Sequence, residues 1–284
     1  SMSVGTPFPG FIDGHTHFDL EVAGTVTADD FETGTKAAIL GGTTFVIDYA
    51  SQDKGGHTLK EGLDKWHKKA DDKCSCDYSF HMSIVEWNEK TEQEIQDMID
   101  HGITSFKLYM TYPAMIVNDC DMYKILKKLG KCGCFAGVHC ENAGVIDALI
   151  AEAKKEGRLG PENHPLVRPD TMEAEAVHRL LVIAKEADAP VMVVHLTNKK
   201  SILKKLCVQE RTDRKYMQKH VHSICYLMIV CMRNQISGSC LCLCTSDSQK
   251  RRSGLSVGSV VTRRYPDSSY GSVQFTLAQT PWQD

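Results

Sequence analysis

Up to about residue 206 the apolar positions alternate between two rhythms. Short β-branched and aromatic runs read as strands: FPGFIDGHTH (8–17), TTFVIDYA (43–50), YSFHMSIV (78–85), TSFKLYMTY (104–112), CFAGVHCEN (134–142) and PVMVVHLTN (190–198). Between them the spacing predicts helices over 28–40, 58–70, 89–100, 119–129, 142–156 and 170–188, and a further one from 198 onward. Asp29 and Asp30 ahead of FETGTKAAIL, and Thr91 before EQEIQDMI, are helix start signals. Strands alternating with helices at about 30 residues per unit imply βα units and a parallel sheet.

Six consecutive units favour a (β/α)8 TIM-like barrel of the α/β class over an open doubly wound sheet. No GxGxxG or GxxxxGK[ST] follows the first strand, which removes the usual reason for a nucleotide-binding sheet. Beyond residue 206 the rhythm fails. HSICYLMIVCMRNQISGSC has apolar runs without alternation, and a Ser, Gly and Arg-rich stretch follows it. The barrel is therefore incomplete as read, with strands seven and eight unplaced. The expected division is a barrel of units one to six over 1–206 and an atypical segment over 207–284, either disordered or a shifted reading frame.

Composition sharpens that boundary. Of 33 basic and 36 acidic residues, 12 and 5 lie beyond residue 202, so a basic tail follows an acidic body. Six of the twelve cysteines fall in the same tail. The chain is long and opens on no basic-then-apolar export signal, so free thiols and a cytoplasmic location are expected. The pairs Cys74/Cys76 and Cys132/Cys134 lack the partner pair of a zinc ribbon and read as structural. No apolar run reaches the roughly 18 residues that span a bilayer, and neither a membrane nor a nucleic-acid partner is expected.

Candidate chemistry lies at the strand ends. His15 and His17 follow the first strand, Lys107 lies within the fourth, His139 ends the fifth and His195 the sixth. Strand ends of a barrel converge on one mouth, and histidines one residue apart can both point inward. Imidazoles so placed suit Zn, Mn, Fe or Ni. A lone strand-end histidine is more often a hydrogen-bonded polar residue, and HxH by itself is a weak signal. Four histidines with an inward lysine form a rarer pattern, and it favours a metal site. Lys107 in a buried strand must be neutral, paired or chemically modified, because a buried ammonium is costly. The remaining histidines read as structural or surface residues.

PGFIDGHTHFDL, GTKAAILGGTTFVIDYA, SFKLYMTY, VHCEN and VVHLTN together resemble the motifs of the dihydropyrimidinase and hydantoinase branch of the cyclic amidohydrolases. The likeness runs in family order from about Pro9 to Ser201. It implies a binuclear site with two Zn²⁺: His15 and His17 on one metal, His139 and His195 on the other, and N-carboxylated Lys107 bridging both. It also implies that Tyr112 hydrogen-bonds the reaction's oxyanion. The activity implied is hydrolytic opening of a small cyclic amide, a dihydropyrimidine or hydantoin, to an N-carbamoyl amino acid. A homotetramer is implied as well.

The family's strand-eight aspartate has no counterpart near Gly271, although FTLAQ (275–279) resembles the segment that follows it; Asp267 stands four residues early. Two alternatives therefore stand beside the enzyme: a non-catalytic dihydropyrimidinase-like scaffold, and a truncated, inactive product of an enzyme gene.

Overall fold

The structure is a computed structural model that describes residues 9–22, 24–196, 260–261 and 276–277. In chain order the elements are β1 (Phe11–Thr16), the hairpin β2 (Glu21–Val22) and β3 (Thr25–Val26), α1 (Phe31–Leu40), β4 (Thr43–Ser51), α2 (Leu59–Ala70), β5 (Asp77–Ser83) and α3 (Glu89–Asp100). There follow β6 (Ser105–Tyr109), α4 (Asp119–Lys131), β7 (Phe135–His139), α5 (Ala143–Lys155), a 3₁₀ turn (Pro161–Asn163), α6 (His164–Val167), α7 (Asp170–Ala187) and β8 (Val191–Val193). The two-residue strands β9 (Val260–Val261) and β10 (Thr276–Leu277) pair antiparallel.

The six main strands run in the order β1-β4-β5-β6-β7-β8. The pairs β1–β4, β5–β6, β6–β7 and β7–β8 are parallel. Each strand neighbours its successor with helix between, the α/β arrangement of a (β/α)8 fold through six units. Every predicted strand and helix up to residue 193 is present, with boundaries moved by a few residues. The small hairpin and the short turns before α7 were not anticipated. Thr91 is not a helix start: Asn88 caps α3 by accepting from the Thr91 N–H, and Thr91 lies buried in the first turn. The predicted helix from 198, strands seven and eight, and the proposed boundary at 206 lie outside the described residues. Among the described residues no helix is long and apolar enough to cross a membrane.

The described residues divide mainly between two compact units, 9–50 and 64–81 in the first and 51–63 and 82–196 in the second. In the first, Phe18, Phe31 and Phe80 pack edge to face, with centroids 5.5 and 6.2 Å apart. Asp30 opens α1 with a capping box to Thr33. One turn on, a Cβ at Gly34 would lie 2.2 Å from the Phe18 ring, so the close approach of α1 needs a residue without a side chain.

Asp48 ties this unit together. Its carboxylate, 1% exposed, accepts from the Thr16 hydroxyl (2.9 Å), the Phe18 amide (2.8 Å), the Tyr49 amide (2.7 Å) and the Trp66 indole (3.1 Å). Burial pushes its pKa up to about 6, and the four hydrogen bonds pull the other way.

In the second unit the buried positions of α4 are Met122, Ile125, Leu126 and Leu129, the stripe of a helix lying on a sheet. α7 does the same with Ala176, Val177, Leu180, Leu181 and Ala184. Beneath them β6 and β7 pair in register from Ser105↔Phe135 to Tyr109↔His139.

An amide at position 48 would present N–H groups to donors. Asp48→Asn should therefore destabilise the fold by about 2–3 kcal/mol, the penalty of leaving buried donors without acceptors. Denaturant unfolding followed by circular dichroism measures this, and a loss within error of zero would show that the four bonds are not the tie described.

Candidate metal centre

The first unit carries the His15 and His17 pair. His15 lies inside β1 and His17 just past it, on the same side by the strand's period of two. Their rings stand 5.2 Å apart at 87°. The Tyr49 hydroxyl is 2.9 Å from His15 Nδ1, and the Tyr49 ring stacks on His17 at 4.8 Å. His81 Nε2 reaches the Gly14 carbonyl at 3.0 Å, and its ring lies 4.8 Å from Tyr49. Thr16 and Phe18, which flank His17, are both held by Asp48. The His15 amide donates to Asp13, whose pKa burial raises. Backbone and ring contacts therefore fix both imidazoles.

The second unit carries Lys107, Tyr112, His139 and His195. Lys107 is 1% exposed, and its register neighbours are Ser83 on β5 and Gly137 on β7. Small residues on both sides leave room for a long side chain. Nζ lies 5.1 Å from the Tyr109 ring, a contact that favours the cation. Desolvation opposes it and prevails, lowering the pKa to about 7, with Cys140 acting weakly in the other direction. Burial thus favours the neutral amine, which carries a lone pair.

His139 closes β7. Its Nδ1 faces His195 Nε2 at 3.0 Å, and its Nε2 is 2.7 Å from Glu141 Oε2. Glu141, 2% exposed, is also bonded by Arg168 Nη1. Burial raises the Glu141 pKa while the guanidinium draws it down. Tyr112 is partly exposed beside His139, with ring centroids 5.0 Å apart.

Tyr112 (φ 67°) and His195 (φ 37°) both occupy the left-handed region that non-glycine residues avoid, a strain typical of functional sites. The Tyr112 carbonyl accepts from the Met115 and Ile116 amides, both at 2.8 Å. Lys54 Nζ holds the same turn through the carbonyls of Pro113 (2.8 Å) and Ile116 (3.4 Å).

The second pair fits a metal. Two imidazole nitrogens on one tetrahedral zinc stand about 3.3 Å apart, given bonds of roughly 2.0–2.1 Å. The 3.0 Å between His139 Nδ1 and His195 Nε2 is within a few tenths of that. A carboxylate on the far nitrogen of a ligating histidine is the usual supporting contact, and Glu141 stands there. Beside His139, Glu141 Oε1 is buried without a hydrogen-bond partner, so a polar atom behind this pair is unsatisfied by the chain itself. Among the described residues no group of three or more His, Cys, Asp and Glu forms a ready cage: the imidazoles come in pairs, and Glu141 backs its pair rather than joining it.

Tyr49, His81, Asp48, Glu141 and Arg168 were not among the predicted site residues. Glu141 had a signal, standing two residues after His139 in VHCEN. Arg168 had none, because its contacts lie far away in sequence. The six described cysteines are free thiols, and Cys140 is buried with its pKa pushed up.

Such a site on such a fold defines a class. The chain belongs to the amidohydrolase family, whose sequence profile matches residues 6–256. Within it the chain falls in the dihydropyrimidinase and D-hydantoinase branch. It is 42% identical over 190 residues to the D-hydantoinase of Streptomyces coelicolor, an alignment covering 66% of this chain and 40% of that one. It is 43% identical over 190 residues to the dihydropyrimidinase of Dictyostelium discoideum, covering 66% and 38%. The structure of a D-hydantoinase from Bacillus sp. AR9 superposes with a TM-score of 0.69 and 38% identity, covering 72% of this chain and 45% of that one. The chain spans about two fifths of the length of these curated relatives.

The lowered Lys107 pKa has a measurable sign. Unfolded, the amine keeps its proton up to its ordinary 10.5; folded, it loses it near 7. Between those values the unfolded state binds more protons, so this contribution to stability grows with pH. In metal-free and bicarbonate-free buffer, Lys107→Met should lose that rise between about pH 7 and 10, measured as unfolding free energy against pH. Parallel curves for the two proteins would refute the assignment.

Proposed function

We propose that this chain carries a metal-dependent cyclic amide hydrolysis, opening dihydropyrimidines or hydantoins to N-carbamoyl amino acids. The observation that carries the reading is the His139 Nδ1 and His195 Nε2 pair with Glu141 behind it. His139 and His195 would hold one divalent ion, preferentially zinc, and His15 and His17 another. Lys107 would serve as an anionic ligand after carboxylation. When bound, the metal supplies Lewis acidity that activates water and polarises the amide carbonyl.

The chain's own groups do the rest. The neutral Lys107 amine adds its lone pair to the carbon of CO₂, one C–O π pair moves to oxygen, and the nitrogen releases a proton to solvent. The product is a carbamate anion, which removes the burden of a buried cation. Tyr112, on its braced turn, donates its hydroxyl proton as a hydrogen bond to the oxyanion that develops on the attacked carbonyl. Its partial exposure suits a group that must meet an incoming ligand.

Purified full chain should hold about two zinc ions and deplete the absorbance of dihydrouracil or hydantoin, as a two-metal hydrolase does. His195→Ala should lose one ion. Tyr112→Phe should keep its metal while kcat falls by about 10²–10³-fold, the effect of removing one oxyanion donor. Metal retention without turnover in the native chain would favour a non-catalytic scaffold, and absence of metal would exclude the hydrolase.

A further inference from the structure

Arg168 lies between α6 and α7, outside every motif of the sequence, and its side chain is largely buried. Two contacts leave it in different directions. Nη1 donates to Glu141 Oε2, and the guanidinium carbon stands 5.4 Å from the centre of the Tyr112 ring. The same Oε2 lies 2.7 Å from His139 Nε2, and the Tyr112 and His139 rings are 5.0 Å apart. Four side chains from three segments thus close a circuit: His139, Glu141, Arg168, Tyr112 and back to His139.

An imidazole that gives its Nε2–H to a carboxylate keeps its lone pair on Nδ1, and Nδ1 is the atom that faces His195. A planar guanidinium can hold a carboxylate with one edge and lie against an aromatic ring with its face, which an ammonium cannot do. If Arg168 only neutralised Glu141, a two-pronged fork would engage both carboxylate oxygens. Instead the two donors share Oε2, and Oε1 stays buried without a hydrogen-bond partner. The geometry serves the imidazole rather than the ion pair.

We propose that Arg168 is a positioning residue: through Glu141 it holds His139 as the Nε2–H tautomer, and through its face it sets the ring of Tyr112. One guanidinium would then orient both a metal-binding imidazole and the oxyanion donor. The Tyr112 half rests on the hydrolase reading above; the His139 half does not.

The test uses the full chain labelled with ¹⁵N-histidine, metal-free, with long-range proton–nitrogen correlations reporting the His139 tautomer. The native chain should show Nε2–H, and Arg168→Met a mixture of tautomers with zinc affinity about 10–100-fold weaker, the usual loss for a supporting contact. Arg168→Lys should restore the tautomer and most of the zinc affinity, yet leave kcat for dihydrouracil about tenfold down, because an ammonium lacks the broad planar group that reaches both Glu141 and the Tyr112 ring.

A native Nδ1–H tautomer, or an Arg168→Met chain with native tautomer and zinc affinity, overturns the proposal. If Arg168→Met does not fold, Arg168→Lys decides alone: a native tautomer with reduced kcat supports the proposal, and full recovery of kcat overturns the Tyr112 half. A native chain with the expected tautomer but no turnover overturns the hydrolase reading and the Tyr112 half together, and leaves the His139 half supported.

Discussion

The second unit depends on the burial of one amine. Lys107 sits in the middle of β6 with 1% of its surface exposed, where a cation loses its hydration. Room comes from Ser83 and Gly137 in register on either side, and the Tyr109 ring centre lies 5.1 Å from the amine. The group yields by giving up its proton near neutral pH. That response creates reactivity, since a neutral amine is a nucleophile and an ammonium is not. Core packing and site chemistry are thus one constraint read in two ways.

Each unit organises its imidazoles around a buried carboxylate, by different means. Asp48 acts on the backbone: it gathers the Phe18 amide and the Thr16 hydroxyl, so the chain on both sides of His17 has little freedom. Glu141 acts on the ring itself, taking one nitrogen of His139 and leaving the other toward His195. Neither carboxylate belongs to the predicted ligand set. Both resist the desolvation that raises their pKa because several donors converge on them.

Much of the fold was legible along the chain because it is local. The runs TSFKLYMTY and CFAGVHCEN announce β6 and β7, and the 122, 125, 126, 129 stripe announces the buried face of α4. Errors arose where neighbouring residues compete. Asn88 and Thr91 are both good helix starters, and the choice went to Asn88 because its side chain reaches the Thr91 amide. The hairpin at Glu21–Val26 was missed because strands of two residues have no period to detect.

The sequence alone singled out the candidate residues: His15 and His17 one residue apart, Lys107 inside an apolar run, and His139 and His195 at the ends of their runs. Periodicity also placed them in, or within two residues of, the strands of a parallel α/β sheet. Only the tertiary structure decided how each side chain is held. Asp48 with Trp66, Tyr49 with His15, and Arg168 with Glu141 and Tyr112 are contacts across separations that no local pattern encodes. A ligand type is a property of one residue, whereas tautomer, ring orientation and desolvation belong to the neighbours that folding brings to it.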